Sequence, residues 1–352
     1  MSINAQFSRR FGNFNLDVKL QAEDERLALF GASGSGKSLT LKCIAGIFKP
    51  DKGYIQVNGQ TLFDSKKNIN LSPQERRTGY LFQNYALFPN MTVEQNIRCG
   101  LKRHSSTKNQ KIKTAELIET FFLKGVEHQH PGQLSGGQQQ RTALARIFAS
   151  KPEIILLDEP LSALDSFLRW QLEQELMTAL NSFPGTTILV SHNDHEVRRI
   201  CDQVIVIDHG RTESPKKVSN FFKNPETFSS AILIGFRNFS RLRHINEKQV
   251  LAIDWNCVLT LENPLAKGIR YVSIRESDFS LLPQQSCSFV CKVLKRVEDL
   301  HTTLFTLEPI HTDSQSPFNQ VLFETDHFSA ANVNVGDEIN IYFSQENIHF
   351  LT

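Results

Sequence analysis

Cysteine is sparse in this chain, and no two cysteines form a CxxC pair. The six (Cys43, Cys99, Cys201, Cys257, Cys287, Cys291) are scattered over 352 residues. That spacing excludes a disulfide framework or a clustered thiolate metal site and implies free thiols in a reducing compartment. No apolar run approaches the roughly 20 residues that span a bilayer; the longest, such as Ile154–Leu157 and Ala231–Ile234, are far shorter. The opening MSINAQFSRRFGN has no apolar core of a secretory signal. An excess of charge is missing too: 39 basic against 37 acidic residues leave +2. Composition therefore gives no reason to expect a nucleic-acid partner. Any membrane role must come through another protein.

What the chain does have is length for about two domains. From Arg26 to about Asp208, short apolar runs alternate with helical stretches. "IILLD", "TTILVSH" and "QVIVID" read as buried parallel strands. A polar, mostly helical stretch, about 90–150, lies between them and reads as an insertion into an α/β core. After His209 the texture changes to period-2 alternation: "VLAIDW", "RYVSIRESDFSLL", "SFVCKVLKRV", "TTLFTLE", "EINIYF". We expect an α/β P-loop core over 1–230 and a small all-β, barrel-like domain over 231–352. Val272, Ile274, Phe279 and Leu281 are spaced like Ile341, Phe343, Ile348 and Phe350. Two copies of one small β unit fit that spacing; chance similarity also does.

"GASGSGKS" follows the strand "RLALF" and precedes a helix from Ser38 to about Ile47. Gly31, Ala32, Ser33, Gly34, Ser35, Gly36, Lys37 and Ser38 match the P-loop pattern. Its glycines let backbone N–H groups converge on phosphate oxygens at a helix N-terminus. Lys37 would reach the β- and γ-phosphates of ATP, and Ser38 would ligate Mg²⁺. "IILLDEP" supplies the complement. Asp158 can hold Mg²⁺ through water, and Glu159 can act as base toward the attacking water. Taken alone, the same letters are a strand ending in two solvated acids.

"LSGGQ", Leu134, Ser135, Gly136, Gly137 and Gln138, would arise by chance about once in a million positions at average residue usage. The order P-loop, LSGGQ, LLDEP resembles the ATP-binding cassette family of transport ATPases, over about residues 1–230. Gln83 in "YLFQN", "SALD" at Ser162–Asp165 and His192 in "LVSHNDHE" complete the set. The resemblance implies that LSGGQ acts in trans, facing the γ-phosphate held by a second copy in a head-to-tail dimer with two ATP. Gln83 then resembles the residue that senses Mg²⁺ and links to a membrane partner. Asp165 resembles the aspartate that lies across the dimer interface. His192 resembles the switch histidine that contacts the γ-phosphate; as a bare residue it is only a strand-end histidine. Phe11 takes the place of the aromatic that stacks on adenine. Phe14 or Phe7 could substitute, and Phe11 could be core.

A single nucleotide site followed by a β domain resembles bacterial importer ATPases. "LSPQERRTGYLFQNYALFPNMTV", "GFRNFSRL" and "VSIRESDFSLL" resemble the ATP-binding subunits of molybdate uptake systems, with sulfate systems next. The chain departs from them at Gly235-Phe236-Arg237-Asn238, where those proteins often read GCKN. The expected protein is a peripheral ATPase on the cytoplasmic face of the membrane. Its partners are a second copy, an integral permease and, indirectly, an extracytoplasmic solute-binding protein; its cargo is molybdate, sulfate, tungstate or another solute. Arg237, Arg241, Arg243 and His244 could attract an oxyanion to the β domain or form a solvated face. The competing classes are a soluble cassette protein of DNA repair or translation and a regulatory module with secondary ATP turnover. The first usually carries a coiled-coil insertion or tandem cassettes, and the second does not need Glu159 and His192.

Overall fold

A computed structural model of the chain describes residues 1–101, 107–161, 166–283, 287–310 and 315–352. The fold divides into two compact units, Met1–Phe221 and Phe222–Thr352. The division precedes the 230/231 boundary drawn from composition. The short helix Phe228–Leu233 belongs with the second unit because of its partners. The Phe228 ring lies 4.8 Å from those of Phe239 and Tyr271, and the Thr352 N–H donates to the Glu226 carbonyl at 3.0 Å.

The first unit is built on one twelve-stranded sheet. Its parallel part runs, in spatial order, Thr78–Leu81, Ile154–Asp158, Thr187–Ser191, Arg26–Phe30, Gln203–Asp208. Ile154–Asp158 and Thr187–Ser191 are buried at every position, as strands covered on both faces must be. All five strands point the same way, so the segments following them gather at one end of the sheet, where open α/β sheets bind ligands.

The antiparallel part was not foreseen. Ser2–Phe11 and Phe14–Glu23 pair along their whole length, and Ser2–Phe11 also pairs with Lys52–Val57. Ile3, Ala5, Phe7, Leu16, Val18, Leu20 and Ala22 face the core. Their alternation was legible, but the intervening charged residues mask it. The helical stretch contains Val93–Gly100, Thr107–Thr120 and Gly136–Ala149. No helix among the described residues is long and apolar enough to cross a membrane.

The second unit holds two antiparallel five-stranded sheets. One runs Cys257–Thr260, Gln249–Ala252, Asn238–Asn246, Tyr271–Ile274, His349–Leu351. The other runs Phe279–Ser280, Glu338–Phe343, Cys287–Glu298, Thr302–Pro309, Val321–Asp326. Their inner faces share one core, in which Trp255 stacks on Phe289 at 5.7 Å. This is the all-β, barrel-like unit expected.

The two stretches of matching spacing each fold as strand, 3-10 turn, strand: Tyr271–Ile274, Glu276–Asp278, Phe279–Ser280 and Glu338–Phe343, Gln345–Asn347, His349–Leu351. Each first strand pairs with the other copy's second, Val272 opposite Phe350 and Phe279 opposite Phe343. That reciprocity is what a local two-fold axis produces.

"VLAIDW" does not continue as a strand. The strand ends at Ala252, and Ile253–Trp255 form a 3-10 turn. Asp254 is the reason. It is 1% exposed, and its carboxylate accepts from the Arg241 backbone N–H at 2.7 Å, Arg241 Nη2 at 2.6 Å and the Ser316 hydroxyl at 2.6 Å. Arg241 is thereby committed to an ion pair, which removes it from the basic group expected to meet an oxyanion; Arg237, Arg243 and His244 are exposed.

Burial by itself raises the Asp254 pKa, but the bonds from Arg241 and Ser316 outweigh it and hold the carboxyl below its usual range. A depressed folded pKa stabilises the fold above the unfolded value of about 3.9, and the contribution disappears as pH falls through the folded pKa. Asp254→Ala should cost about 3 kcal/mol at pH 7, since it strands a partly buried guanidinium. It should also remove this group's share of the acid destabilisation. Urea unfolding at pH 7 and in acid checks both; a variant as stable as wild type at pH 7 would refute the assignment.

Candidate active site

The P-loop is shaped by close approach. A Cβ on Gly31 would lie 2.3 Å from the Ile207 carbonyl oxygen, so only glycine fits between the strand Arg26–Phe30 and its neighbour. Gly36 has φ +109 and caps the helix Lys37–Ile44 from the left-handed region, which a side chain would disfavour. A Cβ there would also meet Leu16 at 2.9 Å and Phe14 at 3.1 Å. Gly31 through Ser38 thus form one tight turn feeding a helix N-terminus. Ser35 is buried and its hydroxyl has no hydrogen-bond partner among the described residues.

Lys37 is 4% exposed, and its ammonium donates to the Gly31 and Ala32 carbonyls at 2.8 Å each. Desolvation lowers its pKa, opposed by the nearby Glu159 and Asp158 carboxylates. The Ser38 hydroxyl donates to Asp158 Oδ1 at 2.7 Å. The Tyr80 hydroxyl donates to Oδ2 at 2.8 Å, and desolvation together with Asp158 pushes its own pKa up. Hydroxyl and carboxylate oxygens therefore converge at the start of the P-loop helix. Among the described residues no three His, Cys, Asp or Glu side chains cluster as a metal cage. A hard cation held by one carboxylate, one hydroxyl, water and substrate oxygens suits this donor set, which is how Mg²⁺ is usually bound.

Glu159 follows Asp158 with φ +47, an uncommon backbone conformation for a glutamate. Its N–H donates to the Val190 carbonyl at 3.1 Å. The turn brings Glu159 Oε1 to 3.3 Å from His192 Nδ1. His192 is held from behind. The Ser191 hydroxyl donates to Glu196 at 2.6 Å, the Asn193 N–H donates to the Ser191 hydroxyl at 2.9 Å, and Asn193 Oδ1 caps the helix Asp194–Ile200. Burial raises the pKa of Glu196, opposed by the Ser191 bond. Adjacent parallel strands thus bring together Lys37, Ser38, Asp158, Glu159 and His192.

Gln83 is exposed on the loop after Thr78–Leu81, whose Leu81 lies opposite Leu157 in the neighbouring strand. It is therefore at the sheet end that carries Asp158. The aromatic positions separate. Phe7 is core, 2% exposed. Phe11 packs on Phe48 at 5.4 Å with the Arg9 guanidinium 4.5 Å above its ring. Phe14 is the ring against the P-loop, at Gly36.

The LSGGQ segment opens the helix Gly136–Ala149 through a capping box. Gln138 N–H donates to the Ser135 hydroxyl, and Ser135 N–H donates to Gln138 Oε1 at 2.9 Å. Leu134 is buried. The Ser135 N–H is thereby engaged within the segment itself. Gly136 and Gly137, the first two helical residues, have N–H groups with no acceptor inside the helix. The expected Asp165 lies outside the described residues.

Two contributors went unrecognised in sequence. Tyr80 meets Asp158 only through the pairing of two strands far apart in the chain. Arg76, 1% exposed, donates to the Cys43 and Ile44 carbonyls at the end of the P-loop helix, at 2.9 and 2.8 Å. Only a helix end in need of donors hints at it.

The sequence model of the family described as ABC transporter matches residues 13–162. The chain is 42% identical over 238 residues to the sulfate/thiosulfate import ATP-binding protein CysA of Mesostigma viride; the match covers 66% of each protein. A protein with the same description from Synechocystis is 35% identical over 299 residues, 82% of this chain and 79% of the relative. The molybdenum import ATP-binding protein ModC of Paramagnetospirillum magneticum is 36% identical over 226 residues, 63% and 61%. Among solved structures, a dimeric ATP-binding cassette in a post-hydrolysis state with ADP and Pi superposes with a TM-score of 0.51 at 27% identity, covering 62% of this chain and 99% of that one.

Proposed function

Because this chain belongs to the ABC transporter family, among ATP-binding proteins of import systems, we propose that it is the ATP-hydrolysing subunit of an oxyanion importer. The observation that carries the proposal is the Ser38–Asp158 contact beside Glu159 and His192. In this reading Lys37 neutralises the β- and γ-phosphates. Glu159 takes the proton of the attacking water, and His192 orients Glu159 and the γ-phosphate. Ser38 and Asp158, with Gln83, would hold Mg²⁺, which supplies charge neutralisation on the phosphate oxygens. Gly136, Gly137 and the Ser135 hydroxyl hydrogen serve the γ-phosphate of a second copy. Phe14 replaces Phe11 as the adenine-stacking candidate, since its ring adjoins the P-loop.

Sulfate or thiosulfate is the favoured cargo. The sequence motifs put molybdate first, but the relatives of greater overlap are described as sulfate/thiosulfate import proteins, and the molybdenum protein matches over less of its length. The proposed partners are a membrane permease and, through it, a solute-binding protein. Loss of the chain should abolish uptake of labelled sulfate, with restoration by wild type and not by Glu159→Gln. Unchanged sulfate uptake with lost molybdate uptake would return the assignment to molybdate.

We assign the second unit a regulatory role, since the hydrolytic residues all lie in the first. Arg237, Arg243 and His244 are the remaining candidates for anion contact. Feedback requires tighter anion binding to the resting state, because equal affinity shifts nothing. Millimolar transported anion should lower ATPase activity of the assembled transporter about 5–150-fold at most, the span of typical couplings. Removal of residues 222–352 should abolish the inhibition and leave basal hydrolysis. Equal inhibition in both proteins would leave the unit a structural part.

A further inference from the structure

Glu196 is the third residue of the helix Asp194–Ile200, which the Asn193 side chain caps, and it is only 4% exposed. A glutamate at that position ordinarily reaches back to the backbone N–H of the capping residue. Here a hydroxyl is interposed. The Asn193 N–H donates to the Ser191 hydroxyl at 2.9 Å, and that hydroxyl donates to Glu196 Oε2 at 2.6 Å. Ser191 is buried as well. The two residues so joined, Ser191 and Asn193, flank His192 on either side. The His192 backbone is therefore held at both ends, while its exposed ring lies 3.3 Å from Glu159 Oε1.

Burying a carboxylate is costly unless it is paired and hydrogen-bonded, and a helix cap alone could be served at the surface. The surroundings of Glu196 offset that cost. Arg169, on the helix Ser166–Asn181, lines one cavity of about 40 Å³ together with Glu159, Ser191, His192, Asn193 and Glu196. Burial and the like charge of Glu173 disfavour the ionised Glu196 carboxyl, while the Ser191 bond, Arg169 and His192 favour it. Glu173 is itself buried, and Arg199 Nη1 of the helix Asp194–Ile200 donates to it at 3.2 Å. The helix behind His192 is thus tied by charge to the helix that follows Glu159 in the chain.

We propose that Glu196 is the positioning residue of His192: through the Ser191 hydroxyl it fixes the turn that holds the imidazole at Glu159. The consequence for hydrolysis rests on the ATPase reading above; the contact does not. Glu196 acts through His192 and takes no part in the proton transfer itself. Its reach matters more than its charge, because an oxygen at that place must accept from Ser191. A misplacement of about 1 Å at a reacting group can cost about 10²-fold in rate.

Three substitutions in the full chain separate reach from charge. Glu196→Asp keeps the charge and withdraws the oxygen by one methylene. Glu196→Gln keeps the oxygen and loses the charge, and Glu196→Ala loses both. Glu196→Asp and Glu196→Ala should lower kcat for ATP about 10–100-fold. KM should stay within about twofold, since the loss falls on the catalytic step. Glu196→Gln should retain most of the rate. On a His192→Ala background Glu196→Asp should add no further loss, the mark of two residues that act as one unit. Histidine labelled with ¹⁵N gives a readout without nucleotide. The His192 ring signals, identified by their absence in His192→Ala, should shift in Glu196→Asp and stay in place in Glu196→Gln. A full rate or unmoved ring signals in Glu196→Asp would overturn the proposal, as would losses that add to that of His192→Ala. A loss in Glu196→Gln equal to that in Glu196→Ala would overturn the contact through Ser191 in favour of charge alone. If Glu196→Ala fails to fold, Glu196→Asp and Glu196→Gln still decide. A wild-type chain that hydrolyses no ATP would sink the ATPase reading alone, because the ring signals still judge Glu196.

Discussion

Glu159→Gln is expected to slow ATP hydrolysis by about 10²–10⁴, the usual contribution of a general base. Glutamine keeps the length and the hydrogen-bonding reach toward His192, now 3.3 Å from Oε1, but cannot accept the proton. The left-handed turn at φ +47 should be undisturbed, because the amide differs from the carboxylate only at the tip. Nucleotide binding should therefore survive, and with it the ATP-bound dimer. That dimer should accumulate, since the step that dissolves it is blocked. Phosphate release assays and size exclusion with Mg-ATP check the two parts separately. Hydrolysis at the normal rate would remove Glu159 from the role of base.

Lys37→Ala is expected to fail earlier, at binding. The ammonium is buried against two P-loop carbonyls, and that burial lowers its pKa, opposed by the Glu159 and Asp158 carboxylates. Hydrogen bonds to charged groups contribute about 1.5–3 kcal/mol each. Its loss should weaken ATP binding at least about tenfold, and more if Lys37 touches two phosphates. No ATP-dependent dimer should form. Titration calorimetry and size exclusion, run beside Glu159→Gln, test the contrast. A Lys37→Ala protein that dimerises like Glu159→Gln would contradict the division of labour. Unfolding of the nucleotide-free variant separates a binding defect from collapse of the turn.

Much of the site was legible because its chemistry depends on local spacing. A phosphate cradle needs glycines where backbone approaches backbone, as at Gly31 and Gly36, and these must precede a helix N-terminus within a few residues. Asp158 and Glu159 had to end a fully buried strand, and "IILLDEP" shows that strand by its letters. The capping box at Ser135 and Gln138 likewise spans only four residues. Tyr80 and Arg76 carry no such mark. Each acts through a partner dozens of residues away.

Sequence alone therefore determined the α/β class, the all-β second unit, the nucleotide motifs and their order, because patterns of period two, apolar runs and turn residues record what each segment can bury. Tertiary structure decided which groups meet. It turned "VLAIDW" at Asp254 and withdrew Arg241 from the expected anion patch. It set Phe14 rather than Phe11 against the P-loop, and moved the helix at Phe228 into the second unit. The physical reason is the same in each case. A side chain's partner is chosen by strand order and register, and those arise only when the whole chain packs.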